Sequence, residues 1–365
     1  MATYQQWVES LELPIHKGYY IEDLRTVEMG WWEERGCNGA FIQMLGQEGV
    51  AETRITGIPP GKTTQPWKFA LDEAFYVLEG KGLATVWGAE KGARKTFEWK
   101  EHSLFLIPRQ GFCQLTNAQG NKPATLLSYN YLPFAMQAVD DPGFFFNNPY
   151  VSSQGDVSDD FYSEAKLQSK WTEKRGDSIR WHGNFFPDMR VWDKLNSQQK
   201  GFRGANARSV QIQFPNWTGW AHMAVFPSRT YKKAHRHGPA RFIVIPVGEG
   251  YSVFWGGGYG EEKERIFIPW HEASCLTPPD RWFHQHFNVG TTPARYLAFH
   301  PPDIFWGHSE GVEDRDRDQI EYPDEDPWVR QTFEKELAKR GLTSIMPEDA
   351  YKDRNYQWES AEDKE

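Results

Sequence analysis

The sequence predicts an all-β protein of two similar tandem domains, each a sandwich or a barrel, with a few peripheral helices. Three observations support this fold class. A glycine- and tryptophan-rich segment recurs later in the chain, short runs of Val, Ile and aromatic residues alternate with Gly, Pro and Asn, and helical periodicity is clear only near the C-terminus. The length of 365 residues suits about two domains at ~150 residues each.

The repeat is the strongest sign of domain organisation. Residues 80–88 have the sequence GKGLATVWG and residues 248–256 have GEGYSVFWG. The glycines and the tryptophan of the first segment thus recur 168 positions later in the second. Further along, Asn117 recurs as Asn288 at an offset of 171, which a three-residue insertion between the blocks explains. Self-similarity at this spacing predicts two copies of one domain.

These copies define four segments. We predict an N-terminal domain with an N-terminal extension over 1–150, an inter-domain segment with some helix over 151–200, a second domain over 201–310, and a charged, partly helical tail over 311–365. In the tail, DPWVRQTFEKELAKRG has apolar residues at helical spacing and Gly341 as a stop. Its many charges favour a solvated arm or a wrap between subunits.

Composition narrows the classes of function. The 41 basic and 50 acidic residues give a formal charge of −9, which argues against nucleic-acid binding. No apolar run of about 18 residues exists, and the N-terminal stretch lacks the pattern of a signal peptide. We therefore expect a cytoplasmic protein with no membrane partner. Three scattered cysteines without a CxxC pair make a disulfide framework or zinc ribbon improbable.

The histidines carry the sharpest chemical signal. His235-Arg-His237 is followed by His284-Gln-His286, and residues two apart in a strand share a face. Imidazoles converging from neighbouring strands would form a three-nitrogen metal site with open positions. Such a site suits Fe(II), Mn, Ni, Cu or Zn.

The spacing around these histidines resembles the two sequence motifs of the cupin superfamily. The likeness runs from Pro227 to Gly248 and from Pro279 to Asn288, and the related segments cover roughly 31–134 and 201–305. It implies two tandem cupin barrels (double-stranded β-helix, or jelly-roll) and makes His235, His237 and His284 the metal ligands. Arg241 occupies the position where the motif usually has glutamate.

The first copy retains the scaffold but lacks the imidazoles. Trp67 and Phe69 stand where the second copy has its first two histidines, and Cys113 stands opposite His284. Only Glu73 keeps its motif position. We therefore expect the metal in the second copy alone.

Arg241 suggests an anionic substrate, because a guanidinium beside a dication with three neutral ligands is unfavourable unless an anion lies between them. The segment Ala240-Arg241-Phe242 with the second histidine pair is similar to the gentisate, salicylate and 1-hydroxy-2-naphthoate dioxygenases. That resemblance implies Fe(II) and O₂ cleaving a C–C bond of a small anionic, hydroxylated aromatic substrate. Arg241 would bind the anion, His286 would move a proton, and the remaining predicted pocket residues are Trp220, His222, Phe226 and Trp282.

Two other classes stay open. The same histidines would serve a redox-neutral isomerase, lyase or hydrolase that uses Zn or Ni as a Lewis acid. A non-catalytic storage or sensor bicupin is the second alternative. By analogy with cupins, we expect a homodimer or homotetramer.

Overall fold

The computed structural model describes residues 3–47, 49–88, 92–146, 148–150, 160–165, 167–173, 176–194, 203–215, 217–256, 264–302 and 315–358. The helices are α1 Thr3–Ser10, α2 Leu132–Ala138, α3 Pro142–Phe145, α4 Arg315–Asp318 and α5 Pro327–Ala338. Parts of the segments 151–200 and 311–365 lie outside the described residues.

Twenty-six strands are present in the described residues. The first twelve are β1 Ile15–Gly18, β2 Tyr20–Ile21, β3 Gly30–Trp32, β4 Cys37–Met44, β5 Glu52–Ile58, β6 Trp67–Lys68, β7 Glu73–Glu79, β8 Lys81–Trp87, β9 Lys95–Lys100, β10 Leu104–Ile107, β11 Phe112–Asn117 and β12 Ala124–Asn130. The others are β13 Leu167–Glu173, β14 Gly176–His182, β15 Phe185–Phe186, β16 Arg208–Gln213, β17 Trp220–Phe226, β18 Thr230–Tyr231, β19 Ala234–His235, β20 Phe242–Val247, β21 Gly250–Trp255, β22 Arg265–Trp270, β23 Cys275–Leu276, β24 Phe283–Asn288, β25 Ala294–His300 and β26 Gln319–Ile320.

The strands form two pairs of sheets, one pair for each sequence copy. The first barrel combines the sheet β1-β4-β5-β12-β7-β10-β15, with β3 paired to β4, and the sheet β6-β11-β8-β9. The second combines β13-β14-β16-β17-β25-β20-β23-β2 with β22-β21-β24-β19-β26, with β18 paired to β24. The all-β fold of two tandem barrels is therefore confirmed, and each barrel is filled by its own apolar cluster.

The repeated asparagines and glycines have the same structural roles in both barrels. The Asn117 amide donates to Ile58 and Lys122 carbonyls, and the Asn288 amide donates to Pro227 and Thr292 carbonyls, each closing the turn between two strands. A Cβ at Gly82 would lie 1.9 Å from the Thr116 oxygen, and one at Gly250 would lie 2.0 Å from the Phe287 oxygen. The glycines are required because backbones approach this closely.

The barrels are joined by exchanged strands and a shared core. β2, from the N-terminal extension, pairs with β23 of the second barrel, and β15, from the inter-domain segment, pairs with β10 of the first. The Tyr129 hydroxyl of the first barrel donates to the Ala240 carbonyl of the second at 2.8 Å. The segment expected to contain some helix contributes the β13–β14 hairpin, which extends a sheet of the second barrel, and a short 3₁₀ helix over Met189–Lys194.

The C-terminal tail is not a solvated arm over its described residues 315–358. β26 pairs with β19, and α5 buries Val329, Phe333 and Leu337 in a cluster on the outside of the second barrel. The helix predicted from apolar spacing is thus present, and Gly341 follows it at φ +69°. The many charged residues suggested a solvated arm because the buried face of the helix is only one stripe of a mostly polar segment.

No helix within the described parts of the chain combines the length and apolar character needed to cross a membrane.

Candidate metal centre

Three histidines meet at one end of the second barrel, as the motif spacing predicts. His235 in β19 pairs directly with His284 in β24, and His237 follows two residues later. The ring centroids are 4.3 Å apart for His235–His284, 4.5 Å for His237–His284 and 5.6 Å for His235–His237. One ligand nitrogen from each ring lies within 4.8 Å of the other two. In the described residues, no aspartate, glutamate or cysteine completes this group.

Backbone carbonyls fix the orientation of all three rings. Nδ1 of His235 lies 3.4 Å from the Lys233 oxygen, Nδ1 of His237 lies 2.8 Å from the Gly238 oxygen, and Nδ1 of His284 lies 3.2 Å from the Trp282 oxygen. A carbonyl only accepts hydrogen bonds, so each Nδ1 carries the proton and each Nε2 keeps its lone pair. With this tautomer each ring can bind a metal through Nε2. The residues therefore fit a divalent metal.

Burial keeps these imidazoles neutral. It lowers the pKa of His284 to about 3 and holds the pKa values of His235 and His237 well below the ordinary range, with the charges of Arg203 and Arg241 adding to the shift. The pKa values of His286 and His300 are depressed in the same way, chiefly by burial. Neutral imidazoles leave the metal free of competition from protons at neutral pH.

The same burial predicts acid sensitivity of the metal-free protein. Each of these five histidines has a folded-state pKa below its unfolded value of about 6.5, so the unfolded chain binds more protons as pH falls. The free energy of unfolding should therefore fall as the pH drops below ~6.5, because protonation of these histidines favours the unfolded chain. Urea titrations between pH 7.5 and 4.5 measure this. A flat profile would contradict the buried, neutral assignment.

Arg241 lies inside the barrel and not on its surface. Its exposed fraction is 7%, and its charge lowers the pKa of His237, His284 and His300. The preceding Ala240 has φ +64°, an uncommon conformation held by hydrogen bonds of its amide to the Gly46 oxygen and of its carbonyl to Tyr129. The contact between the barrels thus fixes the backbone from which Arg241 projects.

His286 lies next to the three ligands but has a different partner. Its ring centroid is 5.5 Å from that of His284, and its Nδ1 lies 2.8 Å from the Ser252 oxygen, which also accepts from the Trp270 indole at 3.0 Å. Since an indole can only donate, the Ser252 oxygen accepts from Trp270, and this oxygen bridges Trp270 and His286.

Lys232 and Tyr296 are site residues that sequence reasoning missed. The Lys232 ammonium is buried, contacts the Tyr296 hydroxyl and lies 4.7 Å from that ring's centroid. Burial and the nearby Arg203 charge lower its pKa to about 7. The Tyr296 ring is 5.3 Å from His286. Tyr296 and His300 are four residues apart in β25 and so share a face of the strand, which the sequence alone could have shown for Tyr296. Lys232-Lys233, by contrast, has the composition of an exposed turn.

The four predicted pocket residues lie in different surroundings. Trp220 stacks on His300 at 3.7 Å, and Nδ1 of His222 lies 2.6 Å from Nε2 of His300. His222 also packs edge-on against Tyr296 at 5.6 Å. Phe226, at the other end of β17, packs against Trp270 and Tyr296 in the apolar filling of the barrel. Trp282 is half-buried against Tyr19.

The tail supports the ligand strand from outside. Gln319 of β26 pairs with His235, and the Arg236 guanidinium donates to Asp318 at 2.8 Å. Arg236 therefore points away from the two histidines that flank it, as alternation in a strand requires. A buried ion pair between Lys233 and Glu321, at 2.6 Å, holds the same two segments together.

The first barrel has a buried ion cluster where the second has its three converging histidines. Trp67 pairs with Cys113 just as His235 pairs with His284. Glu73 contacts the Arg54 guanidinium, which also lies 2.8 Å from Glu52. A second guanidinium, that of Arg35, stacks between the Trp32 and Trp67 rings at 4.6 Å from each. The retained motif glutamate is thus the partner of an arginine supplied by β5.

Comparison with known proteins gives structural likenesses alone. No family model matches the chain, and no curated protein matches its sequence significantly. The Lactobacillus farciminis oxalate decarboxylase formate complex has a TM-score of 0.48 at 12% identity, covering 79% of this chain and 87% of that one. The Bacillus subtilis oxalate decarboxylase at pH 4.6 has a TM-score of 0.46 at 11% identity, covering 78% and 76%. At these identities neither metal nor substrate transfers to this chain.

Proposed function

We propose that the second barrel is the active site of a metal-dependent enzyme that cleaves a C–C bond in a small organic anion. The observation that carries the proposal is the set of three buried imidazoles, each with Nδ1 held by a backbone carbonyl. A divalent metal bound there would supply a Lewis acid and, as Fe(II), a path for electrons between substrate and O₂.

The charges around the imidazoles support an anionic substrate. Arg203, Lys232 and Arg241 all act on the ligand histidines, and among the described residues no carboxylate joins the ligand group. Arginine binds a carboxylate through two parallel hydrogen bonds, so Arg241 would orient the substrate against the metal. Trp220 and His222 would form part of the surrounding wall and help to exclude water.

The first form of this function is the Fe(II) dioxygenase that the sequence resemblance implies. Three neutral ligands leave positions open for a chelating hydroxylated aromatic acid together with O₂. The chain's own residues would hold the anion at Arg241 and accept or return a proton at His286.

A second form, a redox-neutral lyase or isomerase, is favoured by one specific observation. Such reactions need a proton delivered to carbon, and the Lys232–Tyr296 pair offers a buried donor in contact with the His286 side of the site. With its pKa lowered to about 7, Lys232 would be half-protonated at neutral pH. The acid form would be lost as pH rises above that value.

Turnover with and without oxygen separates the two forms. Protein reconstituted with Fe(II), Mn or Zn is assayed against hydroxybenzoates, catechols, β-diketones and small dicarboxylates, with O₂ uptake recorded. We expect turnover to require metal and to be lost with a neutral ester of the same acid. Stoichiometric O₂ uptake supports the dioxygenase. Anaerobic turnover that Lys232→Met lowers by about 10²-fold or more, at unchanged metal content, supports the redox-neutral form.

A further control separates the role of Lys232 from simple packing. Lys62→Met replaces an exposed lysine in the first barrel and should change neither turnover nor metal content. Absence of turnover with every metal and every acid in the panel would leave a binding function and contradict the proposal.

A further inference from the structure

A second group of potential ligands lies between the two barrels, away from the three-histidine centre. Glu101 and His102 belong to the turn after β9 in the first barrel, and Glu272 belongs to the turn after β22 in the second. Their ligand atoms lie within 4.8 Å of one another. The turns are equivalent in the repeat, since His102 and Ala273 have nearly the same left-handed φ, +67° and +66°.

His102 is buried, and one of its nitrogens has no hydrogen-bond partner among the residues that the structure describes. The residue is 2% exposed, its Nδ1 lies 2.7 Å from the Tyr76 hydroxyl, and its buried Nε2 makes no hydrogen bond within that part of the chain. An unsatisfied buried nitrogen is costly and needs an explanation. Nε2 faces Glu101 at 3.4 Å and Glu272 at 3.8 Å.

These separations are long for hydrogen bonds but suit ligands of one metal ion. Bonds of about 2.0 Å in tetrahedral geometry place neighbouring ligand atoms about 3.3 Å apart. When Nδ1 donates to the Tyr76 oxygen, Nε2 presents its lone pair to the two carboxylates, the arrangement that an ion between them would require. Both glutamate side chains are nearly half exposed, so the site opens to solvent on one side.

We propose that Glu101, His102 and Glu272 bind a divalent cation of the zinc class that bridges the two barrels. One imidazole and two carboxylates are an accepted zinc donor set, and the carboxylates balance the charge of the ion. Water would complete the coordination. The competing partner for Glu272 is Arg25, whose guanidinium lies 3.6 Å away but is also bound to Asp23.

Zinc binding in a chain without the three-histidine centre tests this site. The full-length His235→Ala/His237→Ala variant is stripped with chelator and titrated with zinc by calorimetry, with metal counted per chain. We expect about one zinc per chain and a higher Tm with zinc. Adding Glu101→Gln/Glu272→Gln should weaken binding at least about 100-fold, whereas Glu98→Gln, at an exposed position in the preceding strand β9, should have no effect.

The unmodified chain provides a second measurement if the histidine variant folds poorly. It should bind about two zinc ions per chain, and Glu101→Gln/Glu272→Gln alone should reduce this to about one. Zinc binding that these two substitutions leave unchanged would overturn the inter-barrel site, and so would a chain that binds only the ion lost with His235 and His237. Neither result would affect the proposed function of the three-histidine centre.

Discussion

Replacing His235 and His237 together with alanine is expected to abolish both metal binding at the three-histidine centre and activity. The two rings supply two of three ligand nitrogens, with Nδ1 fixed by the backbone and Nε2 left to bind. Removing a residue that only orients a ligand typically costs 10–100-fold in metal affinity, so losing two ligands should cost more than about 10³-fold. The amount of metal lost relative to the unmodified chain after reconstitution with Fe(II), Mn or Zn, measured together with turnover, gives the result.

The matched control is His16→Ala. His16 lies on β1 in the first barrel, where its Nε2 is 2.8 Å from the Glu28 carbonyl oxygen, away from the ligand group. It should leave activity intact and lower neither metal content nor stability by more than a surface change does. Full catalytic activity of the double variant would show that the assignment of the metal centre is wrong.

Arg241→Ala should leave metal content nearly unchanged and lower kcat/KM by about 10²–10³-fold, which corresponds to a few kcal/mol of transition-state stabilisation. The guanidinium is buried close enough to the metal ligands to depress the pKa of two of them. Its loss would remove a charge-assisted contact to a substrate anion.

Two further substitutions at this position separate charge from shape. Arg241→Lys should restore part of the activity, because an ammonium keeps the charge but not the planar fork. Arg241→Glu places a carboxylate at the position usual for the motif, so it should bind metal more tightly while repelling the anion. Arg208→Ala, at a half-buried position on β16, is the control. If Arg241→Ala were as active as the parent, a neutral substrate would become the better hypothesis.

Much of the site can be predicted from the two-residue period of a β-strand. Residues two apart in a strand share a face, so the spacing around Arg236 and Gln285 alone predicts that the histidines of each pair lie together. The offset between the copies also pairs Trp67 with Cys113, and the two are opposite each other in the sheet. The same offset predicts the common role of Asn117 and Asn288, since both close the same turn.

Other features depend on residues that are distant in sequence. Lys232 and Tyr296 are 64 positions apart, and nothing in the segment around Lys232 distinguishes it from an exposed turn. Arg54 reaches Glu73 only because β5 and β7 both pair with β12. The charged tail has a composition typical of solvated segments, but pairing of β26 with β19 brings Gln319 beside His235.

By itself, the sequence determined the two copies of an all-β domain, the two histidine pairs and the presence of an arginine in the motif position of a glutamate. Each of these follows from spacing within a few residues or from direct comparison of the two copies. Only the tertiary structure decided that Arg241 is buried, that Lys232 lies against Tyr296, and that Glu272 of one barrel faces His102 of the other. The physical reason is that strand period fixes the face on which a side chain lies, whereas packing of distant strands and turns fixes what that face meets.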